Sequence, residues 1–291
     1  MGERVTTPPY DGRSMSTIVI TGAASGIGAA CAARLTKDGH RVIGVDLHDT
    51  DITANLEEPA GRAAAIAGVT DLVDGSLDGL VTCAGLGPIP TRSGASIVSV
   101  NYFGTIELLA GLRPLLATGR DAAAVAISSN STTCSPGVAT DVVELCRAGD
   151  ETGARARADE LGAMNGVYPA SKVAVAQWVR RNAVSADWIG AGIRINAIAP
   201  GMIQTAMIAE GRADPTVAPM LDLFPIPAGG PGRPEEVAAV VAFLLGSESS
   251  LLCGSIVFAD GGTDALLRTD DWPAPWDLDL RSVASLFDSQ G

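Results

Sequence analysis

Six short apolar runs, at residues 16–21, 41–46, 78–83, 122–128, 193–198 and 255–259, alternate with longer helical patterns at 26–38, 97–117, 166–189 and 234–246. Strands joined through helices run in the same direction, and a sheet built that way must be covered on both faces. The alternation therefore predicts an α/β fold, a doubly wound parallel sheet with helices on both faces, in a single domain. Pro234 and the two glutamates after it suit the start of the last helix, where proline sacrifices no hydrogen bond and negative charge meets the helix dipole. At 291 residues and 47% hydrophobic side chains the chain can fill one such core.

Two segments break the rhythm. Residues 138–162 hold "TDVVELC" and "DETGARARADEL", two short helical patterns with Asp141 and Asp150 placed to cap them. Residues 268–291 form an acidic tail with Trp272 and Trp276, then Leu280, Val283 and Phe287 at roughly helical spacing. Residues 1–14 have no apolar signal core and read as a disordered extension, with Met15 directly before the first strand. The expected organisation is one domain over 15–267, with a helical insertion at 138–162 and a C-terminal tail.

Net charge −13 argues against nucleic acid and anionic membrane as partners, because both require clustered Lys and Arg. Cys31, Cys83, Cys134, Cys146 and Cys253 are odd in number and free of C-x-x-C spacing, which reads as reduced thiols in a cytoplasmic protein. With only His40 and His48, neither a metal site nor a histidine-based triad is expected.

"TGAASGIG", Thr21 to Gly28, stands between the first apolar run and the first helical pattern. Glycines there let the backbone turn tightly beside a pyrophosphate while the helix N-terminus offers free N–H groups. Its order, G-x-x-x-G-x-G, is not the usual dinucleotide fingerprint, so alone it fits a structural turn equally well. Asp46, eighteen residues past Gly28 at the end of the second run, could accept the hydroxyls of an adenosine ribose. A 2′-phosphate would meet that carboxylate, and neither Ser25 nor Leu47 supplies a cation, so NAD is favoured over NADP.

"YPASK" puts Tyr168 and Lys172 on one face of a helix. Ser129 follows the fourth apolar run, at a strand's C-terminal edge, where ligands bind in open α/β sheets. Singly, each has an ordinary structural reading; together and in this order they do not.

Through residues 16–264 these features resemble the short-chain dehydrogenase/reductase family, which has a Rossmann fold. The further marks are "CAG" at 83–85, Asn101 in "VNYFG", "IAPG" at 198–201 and Thr205. "LVTCAGLGP", "VSVNYFG" and "DGGTDAL" are most similar to the bacterial 3α-hydroxysteroid dehydrogenase/carbonyl reductase branch. The resemblance implies a catalytic set of Ser129, Tyr168, Lys172 and Asn101. Tyr168 would be general acid/base, its pKa lowered by Lys172 and the nicotinamide ring; Ser129 would hold the substrate oxygen, and Asn101 a water leading from Lys172 to solvent. It also implies a cofactor set. Gly22, Ser25, Gly26, Ile27 and Gly28 would meet the phosphates, Asp46 and Leu47 the adenosine ribose, and Asn55 and Leu56 the adenine. Cys83, Ala84 and Gly85 would line the middle, and Pro200, Gly201, Ile203 and Thr205 the nicotinamide half, with Tyr168 and Lys172.

Three departures from the family pattern stand out. Cys83 replaces the asparagine of the common "NAG". Asn55 stands where an aspartate usually holds the adenine amine, and its carbonyl can still accept, without charge. Ser129 and Tyr168 are 39 residues apart, which the insertion explains and which that branch shares. The segment "MIQTAMIAEGRADPTVAPMLDLFPIP", with Arg212 as its only cation, suits a mobile lid over a neutral apolar substrate, or else a packed connector. The expected reaction interconverts a secondary alcohol and a ketone on a hydrophobic skeleton, steroid-like before terpenoid or aryl. A catalytically silent NAD sensor is the rival from another class. A homodimer is expected, with a homotetramer as alternative, the insertion lying across the helices at 97–117 and 166–189 and the tail aromatics as contacts.

Overall fold

The computed structural model describes residues 15–275 and 277. Seven strands form one sheet: β1 Thr17–Thr21, β2 Arg41–Asp46, β3 Ile52–Thr53, β4 Gly79–Thr82, β5 Ala123–Ile127, β6 Arg194–Pro200 and β7 Ile256–Ala259. Their order is β3-β2-β1-β4-β5-β6-β7, and every pairing is parallel. The chain winds outward in one direction from β1 and in the other from β4, so the two crossovers diverge there and leave a crevice at the strands' C-terminal ends.

The helices are α1 Gly26–Lys37, α2 Pro59–Leu72, α3 Gly94–Val98, α4 Thr105–Leu116, α5 Ser131–Cys134, α6 Thr140–Ala148, α7 Glu151–Leu161, α8 Val167–Ala183, α9 Ala206–Ala213, α10 Ala218–Asp222, α11 Pro234–Leu245 and α12 Thr263–Arg268. Alternate strand residues point to opposite faces. Val19, Leu80, Ala124 and Ala126 therefore join Leu108, Leu112, Val175 and Val179 beneath α4 and α8. Ile18, Ile20, Val81 and Val125 join Cys31, Leu35, Val237 and Val241 beneath α1 and α11. This is the doubly wound fold expected from the alternation.

The differences have physical causes. The helical pattern at 97–117 is part of a longer run, α3, then a π-helical turn at Ser99–Gly104 containing Asn101, then α4. A π turn adds one residue without disturbing the apolar stripe on either side, so periodicity does not reveal it. That run, Gly94–Leu116, is 23 residues long and apolar enough to cross a bilayer, yet 67% of its most apolar stretch is buried inside the fold. The pattern at 166–189 stops as a helix at Ala183. β3 and α2 went unread: β3 has two residues, and the alanine-rich "AGRAAAIAGV" of α2 offers little contrast between its faces.

Of the two caps expected in 138–162, Asp150 accepts from the backbone of Gly153 at 2.9 Å and caps α7. Asp141 does not cap α6, whose N-cap is Ala139; it lies in the first turn and pairs with Arg157 of α7 at 2.6 Å. The apolar faces of these two helices, Val142, Val143, Cys146, Ala154 and Ala158, are buried against α8 and α3. Asp159 of α7 accepts from Ala95 N at 2.8 Å and Ser93 Oγ at 2.7 Å. Trp272 is 75% exposed. The expected extension at 1–14, Trp276, Leu280, Val283 and Phe287 lie outside the described residues.

Candidate active site

β1 delivers the chain into the glycine loop. Gly22, at φ +69°, is left-handed, and a Cβ there would sit 2.7 Å from the backbone of Ala84. Gly28 lies against Gly22 so closely that an added Cβ would come within 2.0 Å of its carbonyl oxygen. Larger residues would push α1 off the loop. Ser25 occupies the N-cap of α1 without a side-chain cap, so the opening N–H groups of the helix keep their donors for an anion.

Asp46, where β2 ends beside this loop, accepts from Ala24 N at 2.9 Å through Oδ2 and from Leu47 N at 2.7 Å through Oδ1. The carboxylate is thereby aimed before any ligand arrives. Asn55 lines the same end of the cleft and is already partly engaged. Its side-chain carbonyl accepts from Glu57 N at 3.0 Å and closes a local turn. Cys83 packs against Cys31, and this neighbour together with burial pushes its pKa well up, so the thiol stays neutral.

Ser129 follows β5 by two residues, and its Oγ accepts from Ser131 N at 3.1 Å. α8 begins at Val167, which places Tyr168 and Lys172 on successive turns toward Ser129. Tyr168 and Ser129 line the same stretch of the cleft. The Lys172 ammonium lies 5.9 Å from the Tyr168 ring centroid and donates to the Ile127 carbonyl at 2.9 Å. Burial pulls the pKa of Lys172 down to about 8. Burial of the phenol raises the pKa of Tyr168, and the neighbouring Ser129 offsets only part of this; the expected lowering belongs to the protein with a nicotinamide ring in the cleft.

Asn101, fully buried, accepts from Leu86 N at 2.7 Å and donates to Leu86 O at 3.0 Å and Ser171 Oγ at 3.2 Å. Its side chain ties the loop after β4 to α8, which makes it a positioning residue.

One cleft of about 700 Å³ runs along the C-terminal edge of the sheet. Gly22, Ser25, Gly26, Ile27, Gly28, Asp46, Leu47, Asn55 and Leu56 line one end of it. Cys83, Ala84, Gly85, Ser129, Tyr168, Lys172, Pro200, Gly201, Ile203 and Thr205 line the rest. Asn101 stands behind the wall. Also lining the cleft are Glu57, Leu86, Arg92 and Val100, which the sequence does not mark as site residues, and Met207 and Glu210 of the segment expected to lie over the substrate. Leu86 directly follows "CAG" and Glu57 follows Asn55-Leu56, so adjacency could have pointed to both; nothing local marks Arg92 or Val100. Arg92 pairs with Glu210 of α9 at 2.8 Å, so this cation carries its own counter-ion.

Two family comparisons match consecutive parts of the chain: residues 16–140 fit the family described as short chain dehydrogenase, and residues 156–264 the one described as enoyl-(acyl carrier protein) reductase. The chain is 41% identical to the 3-alpha-hydroxysteroid dehydrogenase/carbonyl reductase of Comamonas testosteroni, over 87% of this chain and 98% of the relative. The chain belongs to the short-chain dehydrogenase/reductase family. It is 30% identical to 3beta-hydroxysteroid dehydrogenase 1 of Eggerthella lenta, over 87% of this chain and 95% of that one. Among solved structures, the 3-alpha-hydroxysteroid dehydrogenase of Pseudomonas sp. B-0831, complexed with NADH, superposes with a TM-score of 0.84 at 45% identity, covering 87% of this chain and 99% of its own. This short-chain dehydrogenase is thus an oxidoreductase, similar in sequence and fold to hydroxysteroid dehydrogenases.

Proposed function

We propose that the protein interconverts a secondary alcohol and a ketone on a hydrophobic, steroid-like skeleton, using NAD and Tyr168 as general acid/base. The observation that carries this reading is that Ser129, Tyr168 and the buried Lys172, whose ammonium lies 5.9 Å from the Tyr168 ring, converge in the cleft that also holds Asp46.

The cleft fits a dinucleotide. Its glycine loop admits close backbone approach, α1 offers unspent N–H groups, and the Asp46 carboxylate suits a ribose diol while opposing a 2′-phosphate. A dinucleotide held there would supply the redox chemistry, a hydride given to the substrate carbon from NADH in reduction and taken up by NAD+ in oxidation. Ser129 Oγ donates to the substrate oxygen and stabilises the charge that grows there. Tyr168 gives its hydroxyl proton to that oxygen in reduction and takes it back in oxidation. Lys172 brings its ammonium to 5.9 Å from the Tyr168 ring, where it would favour the tyrosinate formed when the proton leaves.

For the substrate, Leu86, Met207 and Ile208 give the cleft apolar wall, and Arg92 is neutralised by Glu210. This favours an uncharged apolar ketone over an anionic one. Likeness to the Comamonas and Pseudomonas enzymes favours a steroid over terpenoid or aryl alcohols. The test follows nicotinamide absorbance with NAD against steroid, terpenoid and aryl secondary alcohols. Steroid turnover supports the reading; turnover only of the others corrects the skeleton; none with any class sinks it.

A further inference from the structure

β3 pairs with β2 in the register Asp46↔Thr53, so the segment Asn55–Glu57 emerges beside the Asp46 carboxylate at the same edge of the sheet. Within that segment the polar groups are committed unequally. Asn55 has turned its side-chain carbonyl to the backbone N–H of Glu57. The buried Arg62 guanidinium donates to the main-chain carbonyls of Leu56 at 3.3 Å and Glu57 at 3.2 Å. From α3, Ser96 Oγ donates to Glu57 Oε1 at 2.7 Å. Glu57 is therefore fixed at its N–H, its C=O and one carboxylate oxygen. Oε2 has no protein partner among the described residues, and the side chain is half-buried in the wall of the cleft.

We infer that Glu57, not Asn55, reads the exocyclic amine of the adenine base. The inference rests on the proposal that the cleft holds NAD. A base attached to the ribose that Asp46 holds falls beside this segment, with Leu56 and Val100 as apolar wall. The adenine amine is a donor with no acceptor capacity to spare, and a carboxylate is acceptor only. A hydrogen bond to an ionised acceptor is also worth more than one to an amide oxygen. Holding Glu57 at three points before the ligand arrives removes the ordering cost that a long acidic side chain otherwise carries. The arrangement makes the site selective for a 6-amino purine, because a 6-oxo base turns lone pairs toward the carboxylate.

The test compares NADH with its hypoxanthine analogue by isothermal titration calorimetry on wild type, Glu57→Gln, Glu57→Ala and Ser96→Ala. Wild type is expected to bind NADH more tightly by about tenfold or more, the scale of a charged hydrogen bond. Glu57→Gln can donate from its amide to the 6-oxo group, so its ratio should fall to within about threefold of unity. Glu57→Ala should also lose discrimination, and Ser96→Ala should lose part of it. The ring nitrogen changes from acceptor to donor between the two bases, so the change in ratio on Glu57→Gln isolates this residue. A ratio taken within one protein cancels any loss of folded fraction. Equal affinities in wild type, or a ratio unmoved by Glu57→Gln, would overturn the inference while leaving NADH binding intact. Failure of wild type to bind either dinucleotide would overturn the cofactor reading and this one with it.

Discussion

The Lys172 ammonium is bonded to the main-chain carbonyl of Ile127, the residue that closes β5 two positions before Ser129. In return Ser128 Oγ donates to the carbonyl of Lys172 at 3.0 Å. Two bonds thus stitch α8 to β5 and set the spacing between Tyr168 and Ser129. The stitch uses a cation removed from water, and the surroundings answer by pulling its pKa down to about 8.

That depression predicts a pH-dependent stability. Unfolded lysine titrates near 10.4, so between about pH 8 and pH 10 the unfolded chain holds a proton the folded chain has lost. Stability then rises with pH across this window, and below it the folded state bears the full cost of a buried charge. Lys172→Met should lose activity yet be more stable than wild type at pH 7 by about 1–3 kcal/mol. The gain should shrink as the pH approaches about 10. Urea denaturation at both ends of the window measures it; a mutant less stable than wild type at pH 7 refutes the assignment of cost to the charge.

Tyr168→Phe removes the hydroxyl proposed to carry the proton and leaves the ring packing. Turnover should fall by about 10²–10⁴ or more while NADH affinity stays within about threefold of wild type. Because burial raises the pKa of Tyr168 and oxidation needs the phenolate, alcohol oxidation should accelerate with rising pH and ketone reduction should slow. Steady-state kinetics in both directions checks this. Near-normal turnover in the mutant would remove Tyr168 from the mechanism.

Asp46 bears on cofactor choice by charge. Its carboxylate already accepts from Ala24 N and Leu47 N, so Asp46→Asn keeps most of the shape and removes the repulsion toward a 2′-phosphate. The preference for NAD over NADP should narrow by about tenfold, the worth of one like-charge contact in a partly desolvated site. Asp46→Ala should in addition raise the KM for NAD. A wild type that uses both cofactors equally well would take Asp46 off the ribose.

What was legible in the sequence followed how far each signal is local. Ser129, Tyr168 and Lys172 were readable because strand ends and the four-residue helical repeat fix where such side chains go. Asp46 was readable for the same reason. The local turn at Asn55 was not legible: its side-chain carbonyl accepts from the N–H two residues on. The burial that raises the pKa of Tyr168 was not legible, since packing against other elements is invisible in "YPASK". Arg92 shows the limit most plainly. Arg212 is the cation that the sequence sets near the substrate, yet it pairs with exposed Asp222, while Arg92 reaches the cleft from a loop 118 residues before its partner Glu210.

The insertion leads to the last prediction. α6 and α7 cover outward parts of α8 and α3, and Glu151 at the first turn of α7 joins Glu107 in pairing with buried Arg62. Replacing 138–162 by a short Gly/Ser loop therefore does two things. It uncovers apolar surface on α3 and α8, and it leaves Arg62 with one carboxylate fewer. Glu151→Gln does only the second, and should cost about 1–3 kcal/mol in urea denaturation, below the full cost of an orphaned buried charge because Glu107 remains. We expect the wild type to be a dimer and the loop replacement to shift toward larger assemblies as the uncovered helices find partners. Light scattering distinguishes the cases, with Glu151→Gln separating loss of assembly control from loss of stability. If the loop replacement keeps the wild-type mass, or Glu151→Gln shifts assembly as much, the covering role of the insertion is wrong.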